Sequence, residues 1–429
     1  MTKPDMNEPY LNGTALRAML EHAVAGEPLI GPVAQNALLA GLKRRRRRRT
    51  SGIVACAGVV AVVSVIVPTL TGARSTTPTP ATSAGTPTVY VTNTAPGGPG
   101  WLIPISTATN TAGPRIKVGN SDAIAATPNG KTIYVLDERS DTVIPVSTAT
   151  NTAGAPIKVA DYPFAITITP DGKIAYVLSE NSQLTPIMTA TNTAGRPIAI
   201  NPAGYNLAAS PAITPDGKTI YISPSVQSDV LVPVKAATDT AGKPIRLRAA
   251  PTVIAITPDG KTVYTVSEPS GTVTPIDIAT GTAGPPIKVG QYPVDIAITP
   301  DGKTAYVVNS GSNTVTPIDI ATDKAGPPIK VGLSPFKIAI TPDGKTAYVI
   351  NNGSSTVTPI DTATNTAAPP IKLGENWGNP SAIAITPDGQ TAYVVCSASG
   401  AIIPIATATN TAGPPIKVGG SPYAIVITS

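Results

Sequence analysis

Histidine occurs once in this 429-residue chain, cysteine twice, and tryptophan and phenylalanine twice each. The one histidine, His22, stands near the N-terminus. The rest of the chain therefore has no imidazole for a Ser-His-Asp triad, a His-ligated zinc or a His-ligated haem. Cys56 falls inside an apolar run, which leaves Cys396 alone in the long C-terminal part, with no disulfide partner and no histidine to activate it. It reads as a buried, idle thiol, and stability has to come from packing. Charge is thin as well, at 13% of residues. Residues 1–72 carry a net of +5, which leaves only +1 of the total +6 for everything that follows. A nearly neutral domain argues against nucleic acid as a partner, since that would require a basic patch. No D-x-D-x-D-G loop is present for calcium, so no metal and no cofactor are expected.

What the chain does have is one phrase, repeated. It is clearest at Ile296–Asn309 (IAITPDGKTAYVVN), and its turn threonine recurs at Thr127, Thr169, Thr214, Thr257, Thr299, Thr341, Thr386 and Thr428. The spacings of 42, 45, 43, 42, 42, 45 and 42 residues define a repeat architecture. One period holds four short apolar runs: DIAITP from Asp295, TAYVVN from Thr304, TVTPIDIAT from Thr314 and PPIKVG from Pro327. Turn chemistry separates them, beginning with Pro300-Asp301-Gly302, where proline fixes φ and glycine is free to take a positive one. Short β-branched runs between such turns are strands. Four strands in about 42 residues make a β-propeller blade. Pro327, Pro328 and Lys330 mark the fourth run as the outer edge and put IAIT innermost. The Ile-Ala-Ile alternation of the inner strand lets bulky residues of one blade pack on small residues of the next.

First strands number eight, from Asp122–Thr127 to Pro422–Thr428. Second strands also number eight, but their series starts earlier, at Thr88–Asn93. The domain thus opens on a second strand and ends on a first one. The expected fold is all-β: an eight-bladed propeller of four-stranded blades, closed by pairing of its N- and C-terminal strands, over residues 87–429. Seven blades with a stray repeat is the alternative. Tyr90–Asn93 spells YVTN, and the (I/V)-T-P-D-G-K-T-x-Y-V-x-N phrase resembles the YVTN-family β-propeller repeat of bacterial and archaeal cell-surface and exported proteins. That resemblance implies a location more than a chemistry. Known members are commonly seven-bladed, and a count of eight departs from them.

Residues 1–50 read as a cytoplasmic tail with short helices, the first carried by Leu16, Met19, Leu20, Ala23 and Val24, ending in the basic run Lys43–Arg49. Gly52–Leu70 is free of charge and, at about 1.5 Å per residue, reaches across ~28 Å of hydrocarbon. Residues 51–72 are therefore expected to be a single transmembrane signal anchor, with the basic run inside and the propeller outside. Residues 73–86 read as a Thr/Pro-rich linker that can hold the propeller ~40 Å from the bilayer.

The T-P-D-G turns and A-T-x-T-A-G loops, on one face, are nearly identical in every repeat and read as scaffold. On the other face the loops differ from blade to blade, as in Asp137-Glu138-Arg139-Ser140-Asp141. Loops on a rigid scaffold are where binding residues concentrate. Nearest the axis lie the residues four and five before each repeat threonine. Asp295 and Lys337 share one such position in adjacent blades and are expected to form an ion pair at the channel mouth. Asp122, Phe164, Phe336 and Tyr423 complete a candidate polar-aromatic rim. The expected function is a membrane-anchored extracytoplasmic scaffold that binds an extracellular protein, glycan or cell-wall component, without catalysis. A lactonase-like hydrolase using central carboxylates, and a surface sensor signalling to the tail, are the alternatives.

Overall fold

The structure, a computed structural model, describes residues 87–94, 100–120, 123–200, 211–223, 228–374 and 379–428. The tail, membrane span and linker expected in residues 1–86, and Asp122, lie outside these. Among the described residues no helix is long and apolar enough to cross a membrane.

Every sheet repeats one plan. In the fifth blade (residues 293–330), Pro293–Ile298 pairs with Thr304–Asn309, which pairs with Thr314–Asp319. The outer strand comes in two pieces: Lys324–Ala325 opposite Ile318 and Asp319, and Ile329–Lys330 opposite Thr314 and Val315. This corrects the expectation of a loop through Ala325 followed by one continuous strand. The cause is proline on both sides of the gap. Pro317 has no N–H to offer outward and Pro327-Pro328 have none to return, so only the Gly326 N–H bridges the gap, to the Pro317 carbonyl at 2.7 Å.

The described residues form eight such sheets. Blades 1 to 7 occupy residues 124–158, 163–199, 212–246, 253–288, 293–330, 335–372 and 380–417. Blade 8 is shared between the chain ends. Thr88–Thr94 lies between Gly100–Ser106 and Ser421–Thr428, with Thr88 opposite Thr428 and Val91 opposite Ile425. The first strands adjoin one another in sequence, and the last lies against the first, so the ring is closed.

The turn joining first to second strand is built from its own side chains. In blade 5 the Gly302 N–H donates to the Thr299 carbonyl at 2.8 Å, with Gly302 at φ +70°. The Thr299 hydroxyl donates to Asp301 Oδ1 (2.7 Å), which also accepts the Lys303 N–H (3.1 Å). Such self-contained turns fix the register of each inner hairpin.

Between blades small and large residues share one core: Ala297 packs into the same cluster as Ile338 and Ile340 of the next blade. The largest buried side chains, however, are tyrosines, one on each second strand: Tyr90, Tyr134, Tyr176, Tyr221, Tyr264, Tyr306, Tyr348 and Tyr393. Seven of their hydroxyls donate across the seam to a turn residue of the following blade. Tyr306 reaches Asn365 Oδ1 at 2.6 Å, Tyr264 reaches Asp323 at 2.6 Å, and Tyr393 reaches Asn110 at 2.7 Å across the chain ends. Those acceptors sit in left-handed backbone, as with Asn365 at φ +55°, a conformation that Asn and Asp tolerate. The eighth, Tyr221, faces the turn of blade 4, where Gly281 (φ +66°) has no side chain to accept. Burial raises the phenol pKa throughout, so the hydroxyls stay protonated donors.

Candidate functional site

The face opposite the T-P-D-G turns is made by loops that enter the first strands and loops that join second to third strands. The two sets zip together. The Ser310 and Gly311 N–H groups donate to the Tyr292 and Gln291 carbonyls (2.9 and 3.0 Å), and Asn352 and Gly353 repeat this on Ser334 and Leu333. In blades 2, 5, 6 and 7 the first strand carries a β-bulge at the inner end of the zip. The bulged residues include Phe164, Val294, Phe336 and Ser381, all five before a repeat threonine. A bulge re-aims a side chain at the rim of a sheet, which explains why this position varies in size and chemistry.

Asp295 and Lys337 pair at 3.3 Å, and both are buried. The second carboxylate oxygen accepts the Ile338 N–H at 3.1 Å. Burial pushes the Asp295 carboxyl upward, opposed first by the Lys337 ammonium and then by the Ile338 N–H. The ammonium also lies 5.8 Å from the centre of the Phe336 ring, within cation–π range.

Of the remaining described rim residues, Phe336 adjoins the pair, and Phe164 and Tyr423 belong to other seams. Phe164 packs into the seam of blades 2 and 3, Tyr423 into that of blades 8 and 1, and Phe336 into that of blades 6 and 7. They share a height on the ring and differ in position around it. Asp122 lies outside the described residues.

The acidic loop of blade 1 is internally satisfied. Asp137 accepts the Arg139 N–H (3.1 Å) and the Ser140 hydroxyl (2.7 Å). With its amide turned to suit its neighbours, the Asn120 carbonyl accepts from Arg139 Nε at 2.8 Å. Glu138 donates its N–H to the Asn120 backbone carbonyl at 3.4 Å. Asp141 accepts the Tyr162 N–H (2.8 Å) and pairs with Lys158 (3.2 Å). The Tyr162 N–H foremost, and then Lys158, hold its carboxyl below the usual range. These charges order the loop and, through Asp141, brace the loop that bears Tyr162.

Two residues that sequence reasoning missed stand out on this face. Tyr162 and Tyr292 are 63% and 59% exposed, and Leu333 is 58% exposed. Tyr162 and Tyr292 have φ of +56° and +49°, a left-handed conformation that is an outlier for a bulky side chain. The same slot, just before a proline, holds Ser334 and Asn379 in other blades. The recurring X-Pro before the first strand was a legible signal for the slot, but exposure could not be read from it. Cys396 is fully buried, and burial raises its thiol to about 12, so it stays protonated. Among the described residues no cluster of His, Cys, Asp or Glu is arranged to hold a metal ion.

Comparison with family models and with curated protein sequences finds no match. Solved structures do match. Hydrazine synthase of Kuenenia stuttgartiensis is 22% identical, with a TM-score of 0.55 over 68% of this chain and 97% of that one. The dihydro-heme d1 dehydrogenase NirN, in complex with DHE, is 13% identical, with a TM-score of 0.67 over 79% and 74%. A protein of unknown function from Desulfotomaculum acetoxidans is 18% identical, with a TM-score of 0.54 over 70% and 99%. At these identities the likeness is one of fold, and it supports the eight-bladed propeller.

Proposed function

We propose that this chain is a single-pass membrane protein of the YVTN-repeat type that carries an eight-bladed propeller outside the cell. The propeller presents its loop face to an extracellular protein, glycan or cell-wall component. One observation carries the binding role. Tyr162 and Tyr292 stand exposed on that face in left-handed backbone, which costs an L-residue about 1–2 kcal/mol each. Asn or Ser serves the same slot elsewhere in the ring, so folding does not call for tyrosine there. Strain kept for an exposed aromatic side chain is what a recognition surface has, since aromatic anchors dominate binding energy. The charge-free run Gly52–Leu70, preceded by Arg44–Arg49, supports the anchored, outward orientation. The hydrolase alternative draws on Asp295, whose carboxylate is already held by Lys337 and by the Ile338 N–H.

The test uses the full chain and purified cell-envelope fragments. Tyr162→Asn with Tyr292→Asn is expected to raise the unfolding free energy by about 1–2 kcal/mol through relief of left-handed strain. The same variant should lose at least about tenfold in fragment binding, on the scale of one aromatic anchor. Asp301→Asn, on the turn face, should bind as wild type does. Unchanged binding in the double tyrosine variant refutes the reading.

A further inference from the structure

At the outer edge of the ring, between blades 3 and 4, a cleft of about 490 Å³ has Arg246, Leu247 and Arg248 on one wall. Thr274, Gly284 and Pro285 of blade 4 form the other. The volume falls within the range of small-molecule sites. Two departures from the repeat meet here. Where the outer strands of blades 4, 5, 7 and 8 end Lys-Val-Gly, at Lys288–Gly290, Lys330–Gly332, Lys417–Gly419 and Lys117–Gly119, blade 3 has Arg-Leu-Arg, a triplet that no other blade carries there. Gly281, in the preceding turn of blade 4, replaces the Asn or Asp found in the other seven blades. Both changes fall on one seam, and both set it apart from the other seven.

The strand geometry separates the roles of the three residues. Leu247 is buried, and its N–H donates to the Asp229 carbonyl at 2.6 Å, which pins the segment. Arg246, which ends the outer strand, and Arg248, in the bend after Leu247, are both exposed and both line the cleft. Neither guanidinium makes an ion pair or a side-chain hydrogen bond within the described residues. By contrast, Arg115 donates to the Val418 carbonyl at 3.0 Å, and Arg139 is engaged with Asn120. Among the described residues no acidic side chain lines the cleft. Two unengaged guanidinium forks over a small recess with an apolar floor match a tetrahedral oxyanion joined to a compact, uncharged body.

We infer that this cleft binds a phosphate group, free or as a phosphate ester, through Arg246 and Arg248. Ala283 and Pro285, both exposed, supply apolar contact for the body of the ester. Calorimetric titration of the full chain with inorganic phosphate, pyrophosphate, glycerol phosphate and citrate tests this. Pyrophosphate is expected to bind saturably and to weaken as salt is raised. Arg246→Gln and Arg248→Gln should each weaken it at least tenfold. Lys330→Gln and Lys372→Gln, at the corresponding place in blades 5 and 6, should leave it unchanged. Glycerol phosphate binding more tightly than inorganic phosphate identifies an ester as the ligand, and the reverse order identifies the free anion. Citrate binding more tightly than either phosphate probe overturns the assignment. So does pyrophosphate binding that survives loss of both arginines in a variant whose melting temperature is unchanged.

Discussion

One hydroxyl per second strand, buried to its tip, crosses each seam to the blade that follows, and seven of the eight find an amide or carboxylate oxygen. Asn365 accepts from Tyr306 in a turn whose backbone Asn already favours, so acceptor and turn residue are one choice. Gly281→Asn supplies the missing acceptor to Tyr221 at φ +66°, a conformation that Asn or Asp already holds in the other seven turns. It should raise the unfolding free energy by about 1 kcal/mol, the net worth of one hydrogen bond. Asn365→Gly should lower it by a similar amount, both read from denaturant midpoints. The buried pair Asp295–Lys337 is a different case, because Ala165, Ala382 and Ala424 fill that position in blades 2, 7 and 8. Asp295→Ala alone strands a buried ammonium and should cost about 3 kcal/mol. Asp295→Ala with Lys337→Ala restores the residue of those blades and should recover most of the loss. A double variant no more stable than the single would show that the two charges do not act as a pair.

The inner hairpin turn is the element on which register depends, and its acid is the titrating part. In Asp171, Asp216, Asp301 and Asp343 the carboxyl is held below its usual range, first by the hydroxyl of the turn threonine and then by the following Lys N–H. A depressed folded-state pKa contributes stability that is present above the unfolded value of about 4 and is lost as pH falls through the folded value. Melting temperature should therefore hold from neutral pH down to about 4 and drop below it. Blade 1 already uses Asn129, which accepts from Thr127 at 2.8 Å as the aspartates do from theirs. Asn at all four positions should make the acid limb shallower, and an unchanged limb would remove these turns from the account. Elements of this kind were legible in the sequence because Thr-Pro-Asp-Gly states its own geometry. The break in the outer strand was less so, since it needs Pro317 and Pro327-Pro328 to be placed opposite each other. The candidate rim was legible in height but not in position around the ring. Phe164, Phe336 and Tyr423 sit at one level of the repeat, yet in blades 2, 6 and 8. Tyr306 and Tyr292 show the remaining limit. They are the same residue fourteen positions apart, one buried and one exposed, and only the packing of neighbouring blades separates them.

At the scale of the whole molecule, two faces exist only because the ring closes, and closure depends on strands from opposite ends of the propeller. Thr88–Thr94 has no first strand of its own until Ser421–Thr428 arrives from more than three hundred residues away. The constancy of the T-P-D-G face, the variety of the loop face and the Tyr393–Asn110 contact all presuppose that pairing. Amide hydrogen exchange under native conditions measures it directly. In the closed ring, the inward-bonded amides of Val89–Asn93 and those of Ile425–Ile427 should exchange only through global opening, as slowly as those of Tyr306–Val308 in blade 5. Fast, loop-like exchange in Thr88–Thr94 and Ser421–Thr428, with blade 5 still protected, would show an open spiral and contradict the account.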